Sequence, residues 1–153
     1  PAKSEADSGA SMPVKILESH AKIVKLMKRE LSKIFNTTED KLDGILKIEM
    51  PLLNAEEYEN SIRKTRRMYA PDAGLLDVLP INVLGNIMGR YWRGCFDTFF
   101  GGKSYDGYWK DRFAKLQWVR DPVFHAHPEY IKNEDIDEAK AVCIEIAGYL
   151  GGR

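Results

Sequence analysis

The densest grouping of chemically capable side chains in this sequence is "QWVRDPVFHAHPEY", residues 117 to 130. It places Arg120, Asp121, His125 and His127 within eight positions and holds two of the chain's three histidines. Histidine titrates near neutrality, so it serves as a proton donor and acceptor or as a metal ligand. Arginine stays charged and presents a planar fork that grips anionic oxygens in pairs. Side chains of these types do acid–base chemistry beside a bound anion, or hold a metal with Asp121 and Glu129 as oxygen ligands. The metal arrangement is poorly served, because its four ligands fall within nine residues divided by Pro122 and Pro128, and no cysteine is near in sequence. A plainer use of the same residues is structural: Arg120 pairs with Asp121 or a glutamate, and the histidines cap a helix end.

The element that carries Arg120 has a clear pattern. Trp109, Phe113, Leu116 and Arg120 stand at offsets 0, 4, 7 and 11, which predicts a helix over about 106–120 with Arg120 on its core-facing stripe. An unpaired guanidinium there is costly to desolvate, so something must meet it. Asp121 is adjacent, but neighbouring helical residues point about 100° apart, and Asp121 serves equally as a cap for the next segment. Pro122 biases Asp121 away from helical geometry and Pro128 does the same to His127, so the chain should kink or break between 121 and 128.

Other segments repeat the helical period. Ile16, Ile23, Met27, Leu31 and Ile34 predict an amphipathic helix over about 14–35, with His20 on its stripe as a satisfied core histidine. A short helix runs from the Thr37–Thr38 cap to about Ile48 and is stopped by Pro51. Another spans about 54–69, with Tyr58, Ile62, Thr65 and Tyr69 on a thin apolar face. A long one spans 80–100, with Ile81, Leu84, Met88, Tyr91 and Cys95 on one stripe and "GGKSYDG" closing it. The last covers about 134–150, with Ile136, Ala139, Cys143, Ile146 and Leu150 on one face. "YAPDAGLLDVLP" reads as a loop with a single turn. No segment alternates with period two, so the expectation is an all-α domain, an up-and-down bundle of four main helices with one or two short extra helices. It occupies residues 13–153 as a single domain, behind a lead of residues 1–12, "PAKSEADSGASM", too polar to offset the entropy of ordering or else an expression scar.

Composition narrows the function classes. Lys plus Arg and Asp plus Glu are 23 each, so no global positive field attracts nucleic acid, and any such binding rests on a local patch. No apolar run reaches the roughly 18 residues of a membrane span, so no membrane role is expected. Cys95 and Cys143 are the only cysteines and both lie in apolar helical patterns. They read as two buried thiols in a reducing, cytoplasmic compartment.

"RDPVFHAH" resembles the signature of the HEPN superfamily, an Arg and a His separated by four to six residues with a polar residue directly after the Arg. Arg120 to His125 leaves four residues between, Arg120 to His127 leaves six, and Asp121 is the polar residue. The aromatic helix "YWKDRFAKLQWV" before the motif and the amphipathic helix after it are similar to the last two helices of that family's bundle, so the likeness covers about residues 80 to 150. The resemblance implies a helical bundle that often dimerises, bringing two motifs into one cleft. Many members are metal-independent endoribonucleases of toxin–antitoxin systems, phage defence or RNA processing. Others are non-catalytic dimerisation or interaction modules of larger proteins.

Carried onto this chain, His125 takes the proton from a ribose 2′-hydroxyl or returns one to the leaving oxygen, with His127 as second candidate. Arg120 holds phosphate oxygens in the transition state, Asp121 orients it or the histidine, and a 2′,3′-cyclic phosphate results. No metal or cofactor is implied. The implied partners are an RNA substrate, a second copy of the chain, and an antitoxin or larger-complex protein. The chain departs from members modified by a nucleotidyltransferase antitoxin, which carry a Tyr two residues after the His: position 127 is His and the nearest tyrosine is Tyr130.

Two further stretches bear on binding. "IRKTRRMY" sets Arg63, Lys64, Arg66 and Arg67 on the polar side of a weak helix, either as a solvated face or as a track for an RNA backbone with salt-dependent affinity. "YWRGCFDTFF" packs more aromatic residues than one stripe can bury, and the excess reads as a dimer surface.

Overall fold

A computed structural model describes the backbone of residues 2–121 and 127–151, with side chains from residue 14 onward in those spans except Pro128. It is all-α, with no strand among the described residues. The chain divides into two compact units, residues 24–80 and residues 1–23 with 81–153.

Helix α1, Ala2–Ile34, runs through both units. Its backbone continues to Ala2, through the stretch read from composition as an unstructured lead; Lys, Ser, Glu and Ala extend a helix cheaply once an amphipathic segment has nucleated it. Asn36, at φ 50°, ends the helix in the left-handed conformation, and the Thr37 amide donates back to Ser32 O at 2.9 Å.

The 24–80 unit adds α2 (Leu42–Glu49), α3 (Glu59–Met68) and the single turn α4 (Leu75–Val78), joined by short 3-10 turns. Its buried side chains include Met27, Leu31, Leu42, Leu46, Ile62, Leu75 and Leu76. Asp43 and Asp77 satisfy the first amides of α4: Leu75 N donates to Asp43 Oδ2 at 3.0 Å and Gly74 N to Asp77 Oδ2 at 2.7 Å. A Cβ at Gly74 would sit 2.9 Å from the Asp43 carboxylate, so the glycine permits that approach. Lys28 pairs with Asp77 at 2.9 Å, tying α1 to α4.

In the other unit, α5 (Ile81–Arg90) packs on α6 (Lys110–Arg120), which packs on α7 (Asn133–Leu150). The expected helix over 80–100 ends at Arg90. A turn with Gly94 at φ +75° and a 3-10 segment, Phe96–Phe99, take its place. This redirects the stripe: Ile81, Leu84 and Met88 are buried as expected, but Trp92, Phe96 and Phe100 go inside while Tyr91 and Cys95 are only half-buried. Cys95 is therefore not the buried thiol the helical stripe implied, and both cysteines are free.

An aromatic core fills this unit. Phe100 stacks on Trp92 at 5.2 Å and meets Trp109 edge-on at 5.1 Å, and Trp109 stacks on Phe113 at 5.5 Å. The Trp109 indole donates to Phe100 O at 3.0 Å, so the buried ring has no orphan polar atom. Gly85 lets α6 approach α5, since a Cβ there would lie 2.7 Å from the Phe113 ring. The Gln117 side chain caps α5 by accepting from Ile81 N at 3.1 Å.

Candidate functional site

Arg120 and Asp121 stand at the end of α6 and His127 precedes α7 in the chain, and side chains clamp these two helices together. Lys115 on α6 reaches Asp135 at 2.8 Å and Glu138 at 3.2 Å on α7, and Arg112 reaches Glu145 at 3.2 Å. The Lys115 ammonium and the Lys132 amide, both bonded to Asp135, hold its carboxyl below the usual carboxylate range, and Asp135 in turn raises the Lys115 pKa. Tyr108 and Lys103 also converge on Glu145, and the Arg112 guanidinium lies 3.4 Å above the Tyr108 ring.

Arg120 ends α6 on the stripe expected for it. Trp109, Phe113 and Leu116 are fully buried and Arg120 is half-buried, at the edge where that stripe runs out. Desolvation pushes its pKa down. No hydrogen bond or ion pair joins its guanidinium to another described residue, Asp121 included. The salt bridge that would give Arg120 a purely structural use is thus absent among the described residues. Asp121 leaves the helix at φ −56°, ψ 130°, the extended geometry required before Pro122. It is half-buried and engaged in interactions of its own.

His125 lies outside the described residues, with the rest of 122–126. His127 is described and exposed. Its Nδ1 lies 3.3 Å from Glu129 Oε1, and its ring packs against Tyr130 with centroids 5.0 Å apart. The Tyr130 amide donates to His127 O at 2.9 Å, closing the 3-10 turn Pro128–Tyr130. Of the oxygen ligands weighed for a metal, Glu129 therefore neighbours His127. Among the described residues no group of three or more His, Cys, Asp or Glu side chains is disposed to hold a metal ion.

The basic run falls on α3, in the 24–80 unit. Arg63, Lys64, Arg66 and Arg67 lie on a helix that buries only Ile62. They are not equivalent. Arg66 donates to Ala73 O at 2.6 Å and stitches the following loop to the helix, and Arg63 donates to Asn60. Lys64 and Arg67 make no hydrogen bond or ion pair with another described residue. His20, read as a core histidine, is buried and has a partner.

Sequence reasoning missed a concave region in the unit that carries α5 and α6. An open cleft of about 740 Å³ lies between α5, the connection after it and a π-helical turn, Tyr105–Trp109, that leads into α6. It was invisible because residues 91–100 read as more helix. The doubled glycine at 101–102, both with φ above +70°, was the signal that the backbone turns sharply there.

No protein-family model, curated protein or solved structure matches this chain. Among the described residues, no helix is long and apolar enough to cross a membrane.

Proposed function

We propose that this chain is a metal-independent endoribonuclease of the HEPN type, acting as a dimer in the cytoplasm, with Arg120 and His125 as its essential pair. The observation that supports this reading is the Arg120 guanidinium, half-buried at the end of an apolar stripe and without a partner among the described residues. A half-desolvated cation with no counter-charge among the described residues is a cost to folding, and it suits a group that waits for an anion. A phosphodiester supplies that anion. His125 or His127 moves the proton of the 2′-hydroxyl, and Arg120 stabilises the charge on the pentacoordinate phosphorus, leaving a 2′,3′-cyclic phosphate. Lys64 and Arg67, uncommitted on α3, supply further phosphate contacts. Membership of a toxin–antitoxin, phage-defence or RNA-processing system belongs to the same proposal.

A second reading is a non-catalytic module that docks an antitoxin or a larger-complex protein. It draws on the exposed Trp118 and Tyr130, 47% and 53% accessible, which flank the motif and are residue types favoured in interfaces.

Cleavage of a mixed RNA pool in EDTA, by the wild type beside folded Arg120→Ala and His125→Ala proteins, separates the two. Cyclic-phosphate-ended products from the wild type, lost in both variants, are expected of the ribonuclease. Absence of cleavage by the wild type on any RNA overturns it in favour of the docking module.

A further inference from the structure

The carboxylate of Asp135 is divided between two helices. Its Oδ1 accepts from Lys115 Nζ on α6 at 2.8 Å, while its Oδ2 accepts at 3.1 Å from the amide of Lys132, the residue that caps α7. The reciprocal bond, Asp135 N to Lys132 O at 3.0 Å, completes a capping box, so the start of α7 is held to the same side chain that grips α6. Lys115 also reaches Glu138 at 3.2 Å, but the Glu138 side chain is 61% exposed against 16% for Asp135, so water screens that second contact far more.

Arg120 and His127 each connect to this carboxylate through hydrogen-bonded backbone. Lys115 and Arg120 lie five residues apart on α6, about 7.5 Å along its axis, and Asp121 N still donates to Trp118 O at 3.3 Å. On the other side, His127 O accepts from Tyr130 N at 2.9 Å within the turn Pro128–Tyr130, and Ile131 alone separates that turn from Lys132. Apolar packing does not supply the same link. Phe113, Leu116 and Val119 on α6 and Ala139, Val142 and Ile146 on α7 are buried, but apolar burial is non-directional and fixes how much surface is covered more than the register of one helix on the other. A partly buried, charge-assisted hydrogen bond ties one point on α6 to one point on α7. Of the ion pairs that join these helices, Lys115–Asp135 lies nearer to Arg120 along α6 than Arg112–Glu145 does.

We propose that Asp135 is a positioning residue for the motif: through Lys115 and the Lys132 amide it sets where Arg120 and His127 stand relative to one another. The catalytic consequence rests on the ribonuclease reading; the geometric link rests on the two hydrogen bonds. Misplacing a catalytic group by about 1 Å costs up to roughly a hundredfold in rate, so loss of the link falls on kcat and not on the binding of RNA.

Three variants of the full 153-residue chain test this. Asp135→Asn keeps an acceptor for the Lys132 amide and gives up the charge that Lys115 meets. Lys115→Met keeps the apolar stem and gives up the ammonium, and Asp135→Glu keeps both the charge and a capping-box residue type. With each protein shown by circular dichroism to be folded, cleavage of single-stranded RNA in EDTA should show kcat lowered about tenfold or more in Asp135→Asn and in Lys115→Met, with KM within about twofold. The double variant should be no worse than either single one, because both remove the same bond, and Asp135→Glu should recover most of the rate. Without RNA, the Arg120 Nε–H and His127 Cε1–H resonances should shift in both Asp135→Asn and Lys115→Met. Resonances that stay at their wild-type positions in both variants overturn the geometric link whatever the enzyme does. Additive losses in the double variant, or losses that appear in KM, overturn the positioning role. A wild type that cleaves no RNA while the resonances shift overturns the ribonuclease reading and the catalytic role of Asp135 with it, and leaves the link between the two helices standing.

Discussion

Replacing Arg120 by methionine keeps the apolar stem of the side chain and removes its charge. At a structural arginine this change breaks a salt bridge and leaves a buried carboxylate alone, costing about 3–5 kcal/mol. At Arg120 no described carboxylate is left behind, because none pairs with it. What the change removes is the cost of holding a half-desolvated guanidinium on the stripe of Trp109, Phe113 and Leu116. Burying a polar group without a partner costs about 1–3 kcal/mol on mutational scales, and water reaching the exposed half keeps this case near the lower end. Arg120→Met should therefore raise stability by about 1 kcal/mol, a rise in Tm of roughly 2–4 °C for a chain of this size. The same protein should lose RNA cleavage. Urea unfolding with a shared m-value, run beside the cleavage assay, measures both. A loss of about 2 kcal/mol or more would refute the reasoning, since Arg120 would then hold a structural partner and its claim to a phosphate would lapse.

Three further outcomes rest on particular contacts. Gly85→Ala should destabilise by about 1–2 kcal/mol despite the roughly 1 kcal/mol helix-propensity gain, because its Cβ meets the immobile Phe113 ring at 2.7 Å; thermal unfolding checks this. Asp135 has a lowered pKa in the fold, so its contribution is present above its unfolded value and is lost as pH falls through the folded one. Wild type should thus lose stability below about pH 4 more steeply than Asp135→Asn, which is read by urea midpoints across that range. On α3, Lys64→Ala and Arg67→Ala should weaken RNA binding and lower its salt slope by about 0.7 per lost contact, with little change in stability. Arg66→Ala should in addition cost about 1 kcal/mol, because Arg66 also holds Ala73 O.

Helix content was legible because it is a local property. The period of Ile23, Met27 and Leu31, of Trp109, Phe113 and Leu116, and of Ala139, Cys143 and Ile146 placed three helices and their buried faces. The break after Arg90 was not legible, since the aromatic run through Phe100 continues a helical stripe on paper. A single left-handed Gly94 rotates the register, and only the packing of Trp92 on Phe100 and of Phe100 on Trp109 favours that rotation. In the candidate site, Pro122 foretold the extended Asp121; the stripe put Arg120 on the core-facing side, where the structure leaves it half-buried and without the expected partner among the described residues.

The sequence by itself thus determined what depends on near neighbours: an all-α chain, the end of α6 at the motif, and the grouping of Arg120, Asp121, His125 and His127 in one short segment. Tertiary structure decided what depends on residues far apart in the chain. It left Arg120 without a described carboxylate, committed Arg66 to a loop carbonyl while sparing Lys64 and Arg67, and clamped Lys115 to Asp135 across two helices. It also gathered Arg93, Asp97, Tyr105 and Lys110 around one cleft. Charge pairing and desolvation act over a few ångströms of space whatever the separation along the chain, so no spacing rule foretells which cation is neutralised and which is left for a ligand.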